Sequence, residues 1–286
     1  MPEPPAFLVF TDLDGTLLDR LTYSYEPARP ALRELRQRQI PLVLASSKTR
    51  AELEPIRSQL DNREPFVAEN GGAVFVPQGT FNFPLNGAIL RGAYQLVEFG
   101  TPYAKLRLAL TEIARAAGYE LRGFGDMSVD EIVNRTGLRP ADAVLAKQRE
   151  YDEPFVIIGP LGVGQRDTAH IEGLRSVQLE AEARGLRCIS GGRFHHLLGL
   201  HDKGQACRYL IQCYRRQYGE THRFLTIALG DAENDLPMLA EADRPVLVKS
   251  AEEGSAVRTE LPHVIRTEAA GPIGWNKTIL ELLRSA

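Results

Sequence analysis

The stretch VFTDLDGTLLD, Val9 through Asp19, decides how the chain is read. A short apolar run meets two aspartates spaced two apart, Asp12 and Asp14, followed at once by Gly15-Thr16. An ionised carboxylate left unpaired in an apolar interior is costly, so a strand end that carries two acids needs a partner to neutralise them. Gly15 lets the backbone approach an anion closely. Taken alone, the stretch is also compatible with an Asx turn or a calcium-like loop, so the rest of the chain has to decide.

Working outward from Val9, strand and helix patterns alternate. AFLVF reads as a buried strand, ARPALRELRQRQ as an amphipathic helix and IPLVLAS as a second buried strand. TRAELEPIRSQL is helical, and PFVAENGGAVFVP gives strand, glycine turn, strand. Toward the C-terminus, KGQACRYLIQCYRRQYG predicts a helix closed by Gly219, and FLTIALGD a strand. ENDLPMLAEA (helix), RPVLV and HVIRT (strands) and GWNKTILELLRS (helix) follow. This alternation predicts an α/β fold with a Rossmann-like, largely parallel sheet.

From Leu85 to His196 the pattern changes. TPYAKLRLALTEIARAAG and TAHIEGLRSVQLEAEARG are helices ending in glycine, as helix C-caps do. YELRGF, EPFVIIG, LRCIS and RFHHLLG are strands, the last two joined through Gly191-Gly192 as a hairpin. The reading is an antiparallel sheet with helices on one face, an α+β unit of residues 85–196 inserted between core segments 1–84 and 197–286.

With 286 residues, 43% hydrophobic and 25% charged, the chain is long enough for two well-packed cores. A net charge of −3 supplies no global field for nucleic acid or an anionic membrane. The opening MPEPPAFLVFTD lacks a basic n-region, and no run of apolar residues is long enough to span a bilayer. Cys188, Cys207 and Cys213 fit no zinc spacing and lie in apolar stretches, which predicts reduced packing residues and a cytoplasmic protein.

Four stretches fall at C-terminal strand ends or at the start of the following helix, the edge where open α/β sheets bind ligands. They are Asp12-Leu-Asp14-Gly-Thr16, Ala45-Ser46-Ser47-Lys48, His201-Asp202-Lys203-Gly204 and Gly230-Asp231-Ala-Glu-Asn234-Asp235. Asp12, Asp14, Asp231 and Asp235 form an oxygen-rich set suited to Mg²⁺. Ser46 can offer its hydroxyl to a phosphate, and Lys203 a fixed positive charge. Phosphoryl transfer needs this collection of nucleophile and surrounding cations. Each stretch alone has a plain structural reading as a turn, cap or solvated surface; their joint order does not.

FTDLDGTLLD, LVLASSKTRAE, HDKGQA and LGDAENDLPML together resemble the four motifs of the haloacid dehalogenase superfamily, and VAENGGAVF recurs in its branch with a large α/β cap. The resemblance spans almost the whole chain and implies a Mg²⁺-dependent phosphoric monoester hydrolase. By this resemblance Asp12 is the nucleophile and Asp14 the general acid–base. Ser46 and Lys203 clamp the phosphoryl group. The metal is held by Asp12, the Asp14 carbonyl and Asp231, with Asn234 and Asp235 in support.

SSKTRAE, AKQREYDEPF and SGGRFHHLLGLHDKG are similar to the branch acting on a phosphorylated sugar glycerate, mannosyl- or glucosyl-3-phosphoglycerate, in compatible-solute synthesis. Ser47, Lys48, Asn70, Gly191, Gly192 and Arg193 are then the substrate-binding candidates. The Gly191-Gly192-Arg193 turn could present N–H groups and a guanidinium to a carboxylate, or be a plain hairpin turn. Lys147, Arg149 and Glu150 could face the same cleft or form an exposed helix end, and at most one of His195 and His196 can face it. Another capped sugar-phosphate phosphatase and a phosphomutase remain open readings. A non-catalytic sugar-phosphate binding protein would not need the Asp12, Asp14, Lys203 and Asp231 set. Oligomeric state is not legible in the sequence.

Overall fold

The computed structural model describes residues 7–161, 169–190, 194–219, 222, 224–251 and 257–284. The first segment runs β1 (Phe7–Thr11), α1 (Arg29–Gln37), β2 (Leu42–Ala45), α2 (Arg50–Gln59), β3 (Phe66–Ala68), β4 (Ala73–Pro77), β5 (Ile89–Arg91) and β6 (Tyr94–Glu98). The middle runs α3 (Tyr103–Ala117), β7 (Tyr119–Gly123), α4 (Val129–Thr136), α5 (Pro140–Ala146), β8 (Asp152–Pro160), α6 (Ala169–Glu182), β9 (Arg187–Ser190) and β10 (His195–Leu198). Then come α7 (Lys203–Tyr218), β11 (Leu225–Gly230), α8 (Leu236–Ala240), β12 (Arg244–Lys249), β13 (Ile265–Ala270) and α9 (Gly271–Arg284).

Two compact units emerge: Met1–Ser47, Asp61–Glu98 and Asp202–Ala286 in one, Lys48–Leu60 and Phe99–His201 in the other. The first holds a nine-stranded sheet in the order β13-β12-β11-β1-β2-β3-β4-β6-β5. Strands β13 through β3 in that order are parallel, and β4, β6 and β5 are antiparallel. β1, β2 and β3 are buried along their whole length, as their near-continuous apolar sequences require in a covered parallel sheet. Chain order runs from β1 to β2 on one side while β11 pairs on the other, so β1 sits at the topological switch point where such sheets bind ligands.

Residues 85–98 depart from the sequence reading, which placed them in the insertion. They enter the large sheet as β5 and β6. Tyr94 packs edge-on against Phe66 and Phe75 at 5.5 and 5.8 Å, while those two rings stack at 5.0 Å. Aromatic pairs of this kind add about 0.5–1.5 kcal/mol each beyond their buried area. The helix α2, expected with the core, is compact with the second unit instead. Its N-cap Thr49 accepts from the Glu52 N–H while Glu52 accepts from the Thr49 N–H, a capping box, and the Thr49 hydroxyl donates to the Leu145 carbonyl at 3.0 Å.

The second unit carries a four-stranded antiparallel sheet, β7-β8-β10-β9. Alternation along β8 sends Phe155 and Ile157 into a core with Leu106, Leu110 and Ile113 of α3 and Val177 and Ala181 of α6. Val156, pointing the other way, joins Ile132 of α4 and Ala143 and Ala146 of α5. Helices therefore pack on both faces rather than one. The sequence reading left α4 and α5 unassigned, although Ser128 and Glu131 form a capping box at the start of α4. Among the described residues no helix is long and apolar enough to cross a membrane, and the three cysteines are free and buried.

Candidate active site

The site grows from the ends of three adjacent strands of the first unit. β1 ends at Thr11, which pairs with Leu229 on one side and Leu44 on the other. That register sets Asp12, Ser46 and Asp231 at one sheet edge, each just beyond its strand. The Asp12 N–H donates to Leu229 O at 2.9 Å and the Ser46 N–H to Val67 O at 3.1 Å, so both backbones are fixed by the neighbouring strand. Gly15 has φ +82, and a Cβ there would overlap the Asp231 carboxylate, so the turn after Asp14 admits only glycine without rearrangement.

Lys203 arrives from the first turn of α7, whose N-cap is Asp202, accepting from the Gln205 N–H at 2.8 Å. A lysine at a helix N-terminus is disfavoured by the helix dipole, and this one is fully buried. Two acids account for it: Lys203 Nζ lies 2.6 Å from Asp12 Oδ1 and 2.6 Å from Asp235 Oδ1. Burial pulls the ammonium pKa down, but Asp12 and Asp235 outweigh that and leave it above the ordinary lysine value.

The other carboxylate contacts are equally specific. Asp235 Oδ2 accepts from the N–H groups of Asp231 and Ala232 at 3.0 Å each. Asp231 Oδ1 accepts from the Thr16 hydroxyl at 3.1 Å, and its Oδ2 lies 3.7 Å from the Arg20 guanidinium. Asn234 donates to Asn70 Oδ1 at 2.9 Å. Glu69, Asn70 and Gly71 all take left-handed backbone conformations, φ 48, 58 and 94. Strain of about 1–3 kcal/mol at each non-glycine position needs such support, here the Asn234 bond and the Asn70 N–H donating to Ser46 O at 3.0 Å.

Oxygen atoms of Asp12, Asp231 and Asp235 lie within 4.8 Å of one another. Burial, then Asp235, push the Asp12 pKa well above the carboxylate range against the opposing pull of Lys203. Burial and Asp235 likewise push Asp231 up to about 7. Three carboxylates thus share Lys203 and the more distant Arg20, and their ionised forms are held at a cost. Hard oxygen donors at this spacing fit a divalent cation of the Mg²⁺ type. Asp235 is the least available donor, since both its oxygens are already bonded.

Asp12, Asp14, Ser46, Ser47, Asn70, Lys203, Asp231, Asn234 and Asp235 all belong to the first unit; Lys48 belongs to the second. Gly191, Gly192 and Arg193 lie outside the described residues. The AKQREYDEPF segment is not an exposed helix end. The Arg149 side chain is only 7% exposed, 3.9 Å from both Glu52 and Asp152, and its guanidinium lies over the Phe124 ring. Lys147 donates to the carbonyls of Phe124 and Met127, and Glu150 lies 3.4 Å from the Arg50 guanidinium. His196 Nδ1 meets both Asp152 oxygens at 2.9 and 3.0 Å, whereas His195 packs beside Phe155. Sequence reasoning gave no role to Thr16 or Arg20. A threonine following DxDG is the one local signal for the first; nothing local marks the second.

A family model described as haloacid dehalogenase-like hydrolase matches residues 9–84. The chain is 43% identical over 279 residues to a protein of Methanococcoides burtonii named glucosyl-3-phosphoglycerate/mannosyl-3-phosphoglycerate phosphatase, covering 96% of this chain and 97% of that one. It is 34% identical over 249 residues to a mannosyl-3-phosphoglycerate phosphatase of Pyrococcus horikoshii, covering 87% and 93%. In fold it is similar to the sucrose-phosphatase of Synechocystis solved with sucrose and phosphate, with a TM-score of 0.59, 14% identity and coverage of 97% and 98%. The strand order, the acid cluster and these matches define a haloacid dehalogenase-like hydrolase with an inserted α+β unit. Within that class, the chain belongs to the glucosyl-3-phosphoglycerate/mannosyl-3-phosphoglycerate phosphatase family.

Proposed function

We propose that this chain hydrolyses mannosyl-3-phosphoglycerate, and glucosyl-3-phosphoglycerate beside it, to the sugar glycerate and inorganic phosphate, with Mg²⁺ as its cofactor. The observation that carries the reading is the buried ammonium of Lys203 at 2.6 Å from Asp12. A binding protein has no use for a nucleophilic acid held this way, whereas phosphoryl transfer does. The curated relatives, matched along nearly their whole length, supply the substrate.

In the proposed cycle a carboxylate oxygen of Asp12 attacks phosphorus in line with the ester bond. That bond breaks as Asp14, which is only half-buried, gives its proton to the departing glycerate oxygen. Water then attacks the aspartyl-phosphate, loses its proton to Asp14 and releases inorganic phosphate, returning Asp12. Lys203 offsets the repulsion between Asp12 and the phosphate, and Ser46 binds a phosphoryl oxygen. Mg²⁺, held by Asp12, the Asp14 carbonyl and Asp231, would neutralise charge on the transferring group. Residues 99–201 would read the sugar and glycerate. The free buried cysteines suit a reducing compartment, which supports a cytoplasmic reaction.

Inorganic phosphate release across a panel of phosphate esters tests the proposal. Preference for the two sugar 3-phosphoglycerates is expected. Preference for a plain sugar phosphate would replace the substrate, phosphate moved between positions of a sugar would make the chain a phosphomutase, and binding without release would remove catalysis altogether.

A further inference from the structure

We propose that Thr11 and Trp275 are positioning residues that hold the Asp12 peptide group in register for attack, an inference that rests on Asp12 being the nucleophile. Trp275, the chain's single tryptophan, is fully buried in α9. Its indole N–H donates to Thr11 Oγ1 at 3.0 Å, across 264 residues of sequence. An indole can only donate, so the threonine hydroxyl accepts there and its own proton is left for another acceptor. That acceptor is the Asp12 carbonyl at 2.8 Å. The direction of the chain, indole to hydroxyl to carbonyl, is fixed by chemistry alone.

The location gives this relay its consequence. The ladder partners of β1 end at Thr11. The Asp12 N–H is still held by Leu229 O at 2.9 Å, but its carbonyl lies beyond the paired residues. The Thr11 hydroxyl supplies the bond there, and Lys203 fixes the side chain. Asp12 is thereby held at its amide, its carbonyl and its carboxylate. The helix behind the relay is itself anchored: Asn276 Oδ1 accepts from the Ala31 N–H at 2.9 Å. Gly274 approaches the Ala269 carbonyl so closely that a Cβ would overlap it. In-line transfer is sensitive to placement, with a 1 Å error at the nucleophile costing about a hundredfold. A C-terminal helix distant in sequence therefore contributes to the rate without touching substrate.

The test uses the full chain with Mg²⁺ and mannosyl-3-phosphoglycerate. Thr11→Val keeps shape and removes the hydroxyl; kcat should fall roughly ten- to a hundredfold, with KM changed by no more than about twofold. Thr11→Ser should recover most of the rate. Trp275→Phe should resemble Thr11→Val, and the double variant should lose no more than the single one. A second readout is independent of turnover: the single indole ¹H–¹⁵N signal should move in Thr11→Val, and in the native chain when Mg²⁺ and beryllium fluoride mimic the phosphorylated Asp12. Unchanged kcat in Thr11→Val, or equal losses in the serine and valine variants, would overturn the proposal. If Thr11→Val does not fold, an indole signal indifferent to beryllium fluoride would overturn it instead. Asp12→Asn separates the two ideas: full turnover there removes the nucleophile reading, while the indole shift in Thr11→Val still reports on the hydrogen-bond chain.

Discussion

The two units bury charge in opposite ways. At the strand ends of the first, Asp12, Asp231 and Asp235 share Lys203, with Arg20 3.7 Å from Asp231, and burial and mutual repulsion push the first two acids toward their protonated forms. In the second, buried acids are individually answered. Asp152 meets His196 at 2.9 Å and Arg149 at 3.9 Å. Glu153 accepts from Arg107 at 2.7 Å and from the Gly125 N–H at 3.2 Å; burial still raises its pKa, and these contacts lessen the rise. Crowded carboxylates of the first kind fit a divalent cation. Balanced charge fixes the geometry of a fold. Burial alone therefore does not distinguish chemistry from architecture; the sign and sum of the partners do.

That contrast is open to direct attack. The largest expected effect is at Asp12. Asp12→Asn should lower turnover by at least roughly 10⁴-fold, because the attacking oxygen and a metal donor are both lost. Circular dichroism and gel filtration should show a folded chain. Chelation should silence the native enzyme in the same assay and Mg²⁺ restore it, whereas Ca²⁺, with its larger and looser coordination sphere, should inhibit. Full activity in excess chelator would mean that the carboxylate cluster serves no metal.

Asp14→Asn comes next. Loss of a general acid–base should cost about 10²–10⁴-fold in kcat. An aryl phosphate whose leaving group needs no proton should suffer less in the first step, a difference that burst kinetics would show.

Asp152→Ala tests the opposite region. Removing the buried carboxylate takes away the partner of His196 Nδ1, which costs about 1–3 kcal/mol, while Arg149 keeps Glu52 at 3.9 Å. Urea denaturation should show a loss of that size, and an undiminished midpoint would erase the distinction between the units.

The smallest effect has the opposite sign. Asp231→Asn relieves like-charge crowding at Asp12 and Asp235, so in chelator the variant should gain roughly 0.5–2 kcal/mol over the native chain. It should also bind Mg²⁺ more weakly by calorimetry. A destabilised Asp231→Asn would show that the cluster is as well balanced as its counterpart around Arg149.

Legibility followed locality. The four strand-edge stretches could be read because each joins a short apolar run to polar residues of fixed spacing. The parallel sheet then brings the ends of β1, β2 and β11 together whatever the intervening chain does, and Lys203 joins them from the start of α7. Residues 85–98 were misplaced because Ile89 to Glu98 has no strong alternation. What puts it in the large sheet is the packing of Tyr94 on Phe66 and Phe75. Helices α4 and α5 went unassigned because they are short, one of eight residues and one of seven, and a period of 3.6 is hard to see over two turns.

What the sequence determined by itself was the α/β class, the order of motifs and the identity of the acids and lysine that meet at the β1 edge. These depend on periodicity and on residue chemistry, which are local. Only the tertiary structure decided how each charge is answered: that Lys203 divides itself between Asp12 and Asp235, that Asp235 holds the Asp231 backbone, that the Arg149 side chain is packed against Phe124 rather than solvated, and that Trp275 reaches Thr11. Those pairings join residues far apart in the chain, and a pKa or a bond direction is set by what lies within a few ångströms, not by what lies nearby in sequence.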